Sequence, residues 1–124
     1  MTATQSQLKQ RIHNTYNDVG KLIAGLLKGR ESLLCGSVYI RKRRCGKTGC
    51  RCCRGALHED MVYAVKEGNA MCIRSIGKIE GIMLKRGINQ LKQYKRRRQE
   101  VVKCFKEILS TIDRLGALRI ERYR

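Results

Sequence analysis

A chain of 124 residues has length for one domain, residues 1–124, with a modest core. It carries 28 Lys plus Arg against 10 Asp plus Glu, a net charge of +18. Such an excess repels itself and is relieved by a polyanion, so nucleic acid is the expected partner, ahead of an anionic membrane surface. No apolar run approaches the ~20 residues of a membrane span, and 42% apolar residues with clear periodicity exclude a disordered chain. A soluble, cytoplasmic protein with no membrane association and no small-molecule substrate is expected.

Thr4-Gln5-Ser6-Gln7 has the form of a capping box with Thr4 as N-cap. From there Leu8, Ile12, Tyr16, Val19, Ile23, Leu26 and Leu27 recur at steps of three and four, which predicts an amphipathic helix over 5–28. Gly20 and Gly25 each cost such a helix about a kcal/mol, and close packing of another helix there would offset the loss. Gly29 or Gly36 ends the element, and His13 reads as a surface or core residue.

Gly36–Arg43 reads as a strand, with Val38, Ile40 and Lys42 on one side and Tyr39, Arg41 and Arg43 on the other. It runs into Cys45-Gly46-Lys47-Thr48-Gly49-Cys50-Arg51-Cys52-Cys53-Arg54-Gly55-Ala56-Leu57-His58, where four cysteines and a histidine fall within fourteen residues. Thiolates and imidazole are the donors that Zn²⁺ prefers in a closed tetrahedral site. Cys45, Cys50, Cys52 and His58 are the expected ligands, forming a zinc knuckle. Cys53 is the rival, since Cys50 and Cys53 also make a Cys-x2-Cys pair. Disulfides and metal-free redox thiols are the other readings; an odd total of seven cysteines and no preceding signal peptide weigh against a secreted disulfide scaffold. Arg41, Lys42, Arg43, Arg44, Lys47, Arg51 and Arg54 crowd the same stretch, and nearby cations favour thiolate over thiol. Cys35, Cys72 and Cys104 are expected to be small buried apolar residues.

Residues 61–66 and 70–76 are two short runs rich in β-formers, joined through Glu67-Gly68-Asn69, a hairpin signal. With the first strand they make a three-stranded antiparallel sheet, the smallest that is stable, and a metal clip would support it. The zinc-knuckle and hairpin module is placed at 36–77. Tyr39 and Tyr63 are candidates to lie on one face and stack on bases, with packing against a helix as the alternative.

A long helix is predicted over 80–116, with Leu84, Ile88, Leu91, Val102, Phe105, Leu109 and Ile112 as its stripe and Val101, Ile108 and Leu115 beside it. The same register meets Lys95 and Arg98, inside the basic run Lys95, Arg96, Arg97 and Arg98. Unpaired charges are costly in a core, so this turn should emerge from it as a second phosphate-contacting surface. Gly116 ends the helix, and 117–124 form a basic tail with Arg119, Arg122 and Arg124. The expected fold is therefore α+β: an N-terminal helix, a small three-stranded antiparallel sheet with a zinc knuckle, and a long C-terminal helix packing on the first.

At Gly36-Ser37-Val38, and at Arg43-Arg44-Cys45-Gly46-Lys47-x-x-Cys50-x-Cys52-x-x-Gly55-x-x-His58, the chain resembles a family of short, uncharacterised prokaryotic proteins often encoded near transposases. Val62-Tyr63, Arg74 and Tyr94-Lys95-Arg96 match later places in that pattern, so the resemblance runs over about residues 36–110. It implies Cys45, Cys50, Cys52 and His58 as ligands, with Cys53 at a non-ligand place. It implies no activity.

The expectation is a non-enzymatic, zinc-binding, nucleic-acid-binding protein, DNA favoured over RNA, serving as an accessory of a mobile element. Its nucleic-acid contacts would be Arg41, Lys42, Arg43, Arg44, Lys47, Arg51, Arg54 and Lys95 to Arg98. The alternatives are a helical interaction module that pairs with a partner or forms a homodimer, and an RNA-binding part of a ribonucleoprotein. Four ligands fill the metal, and no paired carboxylates or deaminase-type His-x-Glu motif accompany them, which argues against an enzyme.

Overall fold

The structure is a computed structural model and describes residues 3–123. The chain divides into two compact units, one of Met1–Arg30 with Gln93–Arg124 and one of Glu31–Lys92. The elements run α1 (Gln5–Lys28), β1 (Ser37–Arg43), a 3-10 turn (Arg51–Arg54), β2 (His58–Glu67), β3 (Ala70–Ser75) and α2 (Lys78–Arg119).

In the first unit, Thr4 and Gln7 form the capping box as expected. The Gln7 N–H donates to the Thr4 hydroxyl and the Thr4 N–H to the Gln7 side chain, which satisfies two orphan donors of α1. Gly29 is the C-cap. The later half of α2 packs on α1. Leu8, Thr15 and Val19 are buried on α1, with Ile12, Leu22, Ile23 and Leu26 half-buried. Tyr16 and Leu27, expected in this stripe, are exposed at 67% and 81%; Thr15 takes the seam position beside Tyr16. On α2 the seam is Val101, Cys104, Ile108, Thr111 and Leu115. The buried Thr111 hydroxyl is satisfied by donating to the Glu107 carbonyl one turn back. Val102, Phe105, Leu109 and Ile112, expected as the main stripe, are the exposed neighbours of this seam. A side chain one position along a helix lies 100° away, so a seam shifted by one residue turns the stripe outward. Among the described residues nothing packs at Gly20 or Gly25, where an added Cβ would meet no atom within 4 Å. Gly116 does not end α2, which continues to Arg119. Of the expected tail, Arg124 lies outside the described residues.

In the second unit the sheet order is β1-β2-β3, antiparallel throughout. Gly68 and Asn69 close the β2–β3 hairpin, Gly68 with φ +62° and Asn69 without positive φ, which are the signs of a type II′ turn. β2 reaches further back than the predicted 61–66, because His58, Glu59 and Asp60 pair with Arg43, Lys42 and Arg41. That register also sorts the faces. Tyr39 stands opposite Val62, and Tyr63 opposite Val38 and Arg74, so the two tyrosines occupy opposite faces and form no joint stacking surface. Tyr63 is a structural residue. Its hydroxyl donates to the Cys35 carbonyl, tying the approach of β1 to the middle strand.

The first turns of α2 lie close to this unit's core. Gly81 is buried, and the Met61 sulfur occupies the space where a side chain on residue 81 would begin. Gly87 meets Leu34 in the same manner, and Ile88 beside it is buried. Arg74 at the end of β3 pairs with Glu80 in the first turn of α2 at 2.8 Å. A carboxylate there also suits the positive end of the helix dipole.

Candidate metal centre

β1 ends at Arg43 and β2 begins at His58, so residues 44–57 are the connection of a β-hairpin. Cys45 leaves the first strand and His58 opens the second. The antiparallel pairing therefore brings the two ends of the motif together before any ligand chemistry acts. Between them the backbone makes tight turns, with Gly46, Gly49 and Gly55 at φ +78°, +85° and +103°, values that L side chains rarely adopt. The Cys50 N–H donates to the Lys47 carbonyl at 3.4 Å and the Cys53 N–H to the Cys50 carbonyl at 3.1 Å. The 3-10 turn then presents Cys52 inward, and Gly55 in the left-handed conformation closes it with its N–H on the Cys52 carbonyl.

The product is one cluster: the Sγ atoms of Cys45, Cys50 and Cys52 and a ring nitrogen of His58 all lie within 4.8 Å of one another. Cys45 Sγ is 3.5 Å from Cys52 Sγ, and Cys50 Sγ is 3.1 Å from His58 Nε2. With a Zn–S bond near 2.3 Å, the edge of a tetrahedral thiolate cage is about 3.7 Å. Donor type, number and spacing therefore fit a four-coordinate divalent metal such as Zn²⁺. Cys52 is fully buried, so the cluster also supplies part of this unit's small core. Cys53, the rival ligand, turns away; it is exposed and its thiol donates to the Lys47 carbonyl at 3.5 Å.

The electrostatics differ from expectation in their source. The Cys50 thiol is held below its ordinary pKa first by the backbone N–H of Cys52, then by hydrogen bonds with Cys45 and His58. The Cys52 thiol is lowered chiefly by the backbone N–H of Cys45, which lies 3.4 Å from its sulfur. Backbone amides, not the surrounding lysines and arginines, lead in stabilising these thiolates. For Cys45 the strongest influence, the Lys47 amide, also favours thiolate; its hydrogen bonds with Cys52 and Cys50, together with burial, outweigh it and raise the thiol. Three thiolates held this close repel one another, which a dication at their centre would relieve. Cys35 and Cys72 are exposed rather than buried and Cys104 is half-buried, so the expectation of three core cysteines fails for the first two. Cys72 donates to the Glu67 carboxylate, which raises its thiol. His13 is exposed on α1, outside the cluster.

The basic residues separate into distinct groups. Arg41 is committed to Asp60 through two hydrogen bonds, the shorter 3.0 Å. Ser75 donates to the same carboxylate at 2.9 Å, so one row of side chains spans all three strands. Arg41, then Ser75, hold the Asp60 carboxyl below its usual range. Arg43 stands 3.9 Å from Asp60, and Lys42 stands 3.6 Å from Glu59. Sequence reasoning missed this internal neutralisation, since Asp60 becomes Arg41's neighbour only once the strand register is known. Arg44, Lys47, Arg51 and Arg54 sit exposed around the cluster, and among the described residues none is in an ion pair. In the other unit Lys95, Arg96, Arg97 and Arg98 are all exposed on α2, also without ion pairs among the described residues, as their interruption of the apolar stripe predicts.

No helix of the described residues is long and apolar enough to cross a membrane. No curated protein and no solved structure matches the chain. One family model does, over residues 5–81. The matched span takes in α1, which the resemblance read from the motif left aside, and stops within the first turns of α2 rather than near residue 110. It contains the whole Cys/His cluster, and on that match the chain belongs to the family described as a domain of unknown function, DUF6788.

Proposed function

We propose that the protein is a non-enzymatic, zinc-stabilised nucleic-acid-binding protein with DNA as its preferred partner. The observation that carries this reading is the set of exposed cations Arg44, Lys47, Arg51 and Arg54, in no ion pair among the described residues, on the loop that holds the Cys45–Cys50–Cys52–His58 cluster. Four protein donors leave a tetrahedral metal no open position, which supports a structural role for it. The metal would hold a loop with few apolar contacts in one shape, so that its cations meet phosphates without an ordering cost at the moment of binding. The net charge of +18 supplies the long-range attraction. Arg96 to Arg98 add a second phosphate-contacting patch. Contacts of this type fix affinity and register but carry little base preference. The resemblance to prokaryotic proteins encoded near transposases favours DNA, and an accessory role beside a mobile element rests on that resemblance alone. Binding to duplex and single-stranded DNA and RNA over a salt series tests the reading. Affinity should fall linearly in log–log form with salt, at about 0.9 per duplex phosphate neutralised. Affinity indifferent to salt would overturn it.

A second reading, self-association, is favoured by the exposed row of Val102, Phe105, Leu109 and Ile112. Its 3-4-3 spacing reads the same in both directions. Two copies can therefore face each other antiparallel about a two-fold axis near Glu107, Val102 meeting Ile112 and Phe105 meeting Leu109. The two readings are compatible, since the stripe and the knuckle use different residues.

A further inference from the structure

Within the unit of Glu31–Lys92 a cavity of about 240 Å³ opens between the start of β1 and α2, lined by Gly36, Ser37, Val38, Lys85, Ile88, Asn89 and Lys92. Lys85, Asn89 and Lys92 are spaced i, i+4 and i+7, so they stand above one another on a single face of the helix. Their side chains are all exposed, and among the described residues neither lysine is in an ion pair. Among the described residues no acidic one lines the cavity.

The opposite wall adds backbone donors. β1 is an edge strand. The Ile76 N–H donates to the Met61 carbonyl at 2.9 Å, in register with the Val62–Ser75 pair, so odd-numbered residues of β2 turn their backbone groups toward β3. Even-numbered residues consequently turn toward β1, where Ala64 meets Ser37 and Val62 meets Tyr39. Val38, between those two, directs its N–H off the free edge of the sheet. Two lysines and an asparagine on one helix face, together with the β1 edge where Val38 turns both its N–H and its C=O outward, thus line one space whose apolar part is Val38 and Ile88. Such a donor set suits a tetrahedral oxyanion and offers little to a cation or an apolar ligand.

We propose that this cavity binds a phosphate group, carried either as a monoester or as one diester unit of a nucleic-acid strand. It shares no residue with the metal cluster or with the basic groups assigned to nucleic acid above; its diester form rests on that reading and its monoester form does not.

The test uses the full-length, zinc-loaded, ¹⁵N-labelled chain, titrated with inorganic phosphate at constant ionic strength and followed by amide resonances. Saturating shifts at the Val38 backbone amide and the Asn89 side-chain amide are expected, and Lys85→Gln/Lys92→Gln should weaken binding at least tenfold. Both lysines are exposed, so this variant keeps the fold; unchanged amide dispersion verifies it. Shifts spread over all basic residues without saturation, or equal affinity in the double variant, would overturn the proposal. Phenyl phosphate and a dinucleoside monophosphate then identify the source. Competition by the first alone identifies a free monoester, and competition by the second identifies a nucleic-acid diester. If neither displaces phosphate, only an adventitious ion binds and the proposal fails. Loss of DNA binding on changing Arg96 to Arg98, with phosphate binding intact, would show the two sites to be independent.

Discussion

Leu34 lies across Gly87: its backbone N–H donates to the Gly87 carbonyl at 3.1 Å, and its Cδ1 would stand 2.5 Å from a Cβ placed on residue 87. Here the helix surface must be bare backbone. Gly87→Ala should therefore destabilise by up to about 2 kcal/mol, an overpacking cost of roughly 1–3 kcal/mol less the ~1 kcal/mol gained in helix propensity. Gly20→Ala and Gly25→Ala in α1 have open space around the new methyl and should each stabilise by up to about 1 kcal/mol. Urea midpoints of the three variants check the opposite signs.

Ligand identity separates two neighbouring cysteines. Cys50→Ser should abolish stoichiometric zinc binding, whereas Cys53→Ser should retain one metal per chain, because the Cys53 thiol faces the Lys47 carbonyl. Structural zinc sites contribute on the order of 10 kcal/mol, comparable to the whole stability of a small domain. Cys50→Ser should lose hydrogen-exchange protection along β1 and at the even-numbered residues of β2 that bond to it, with the β2–β3 pairing retained. Metal analysis by mass spectrometry and amide exchange read the two effects.

Arg96→Gln, Arg97→Gln and Arg98→Gln combined should leave the circular dichroism unchanged, since all three side chains are exposed and unpaired among the described residues. Duplex binding should weaken uniformly across sequences. If each arginine neutralises one phosphate, the salt slope should shrink by about 2.7. Filter binding at several salt concentrations measures it.

Self-pairing through α2 makes its own prediction. Phe105→Glu places a charge in the middle of the exposed stripe and should shift sedimentation from dimer to monomer across the micromolar range. Ile108→Glu, one seam over and half-buried against α1, should instead unfold the helical unit.

Much of the architecture was legible because local signals agreed with one another. The Thr4–Gln7 box, the three-four repeat and Gly29 bound α1, and Gly68-Asn69 between two β-rich runs marked the hairpin. The grouping of Cys45, Cys50, Cys52 and His58 was legible from donor type and spacing, with Cys53 left open. What periodicity did not contain is phase. Apolar residues at both 101 and 102, 104 and 105, 108 and 109 let either face of α2 serve as the seam, and only packing chooses. Which residue of β2 faces which of β1 was equally silent, so the separation of Tyr39 from Tyr63 and the capture of Arg41 by Asp60 emerged only with the register. The roles of Gly81 and Gly87 lay in what stands opposite them, Met61 and Leu34, which no local window includes.

The two edges of the sheet are fastened by unlike devices. β3 is joined to the middle strand by two residues, an intrinsic and inexpensive closure. β1 is joined by residues 44–57, whose closure costs about 2 kcal/mol more chain entropy unless the Cys/His cluster is cross-linked. Depletion of metal would thus release a single flank of the sheet, the one bearing Arg41 to Arg43, while the β2–β3 hairpin stays shut. Metal supply would act as a selective latch on the basic edge strand.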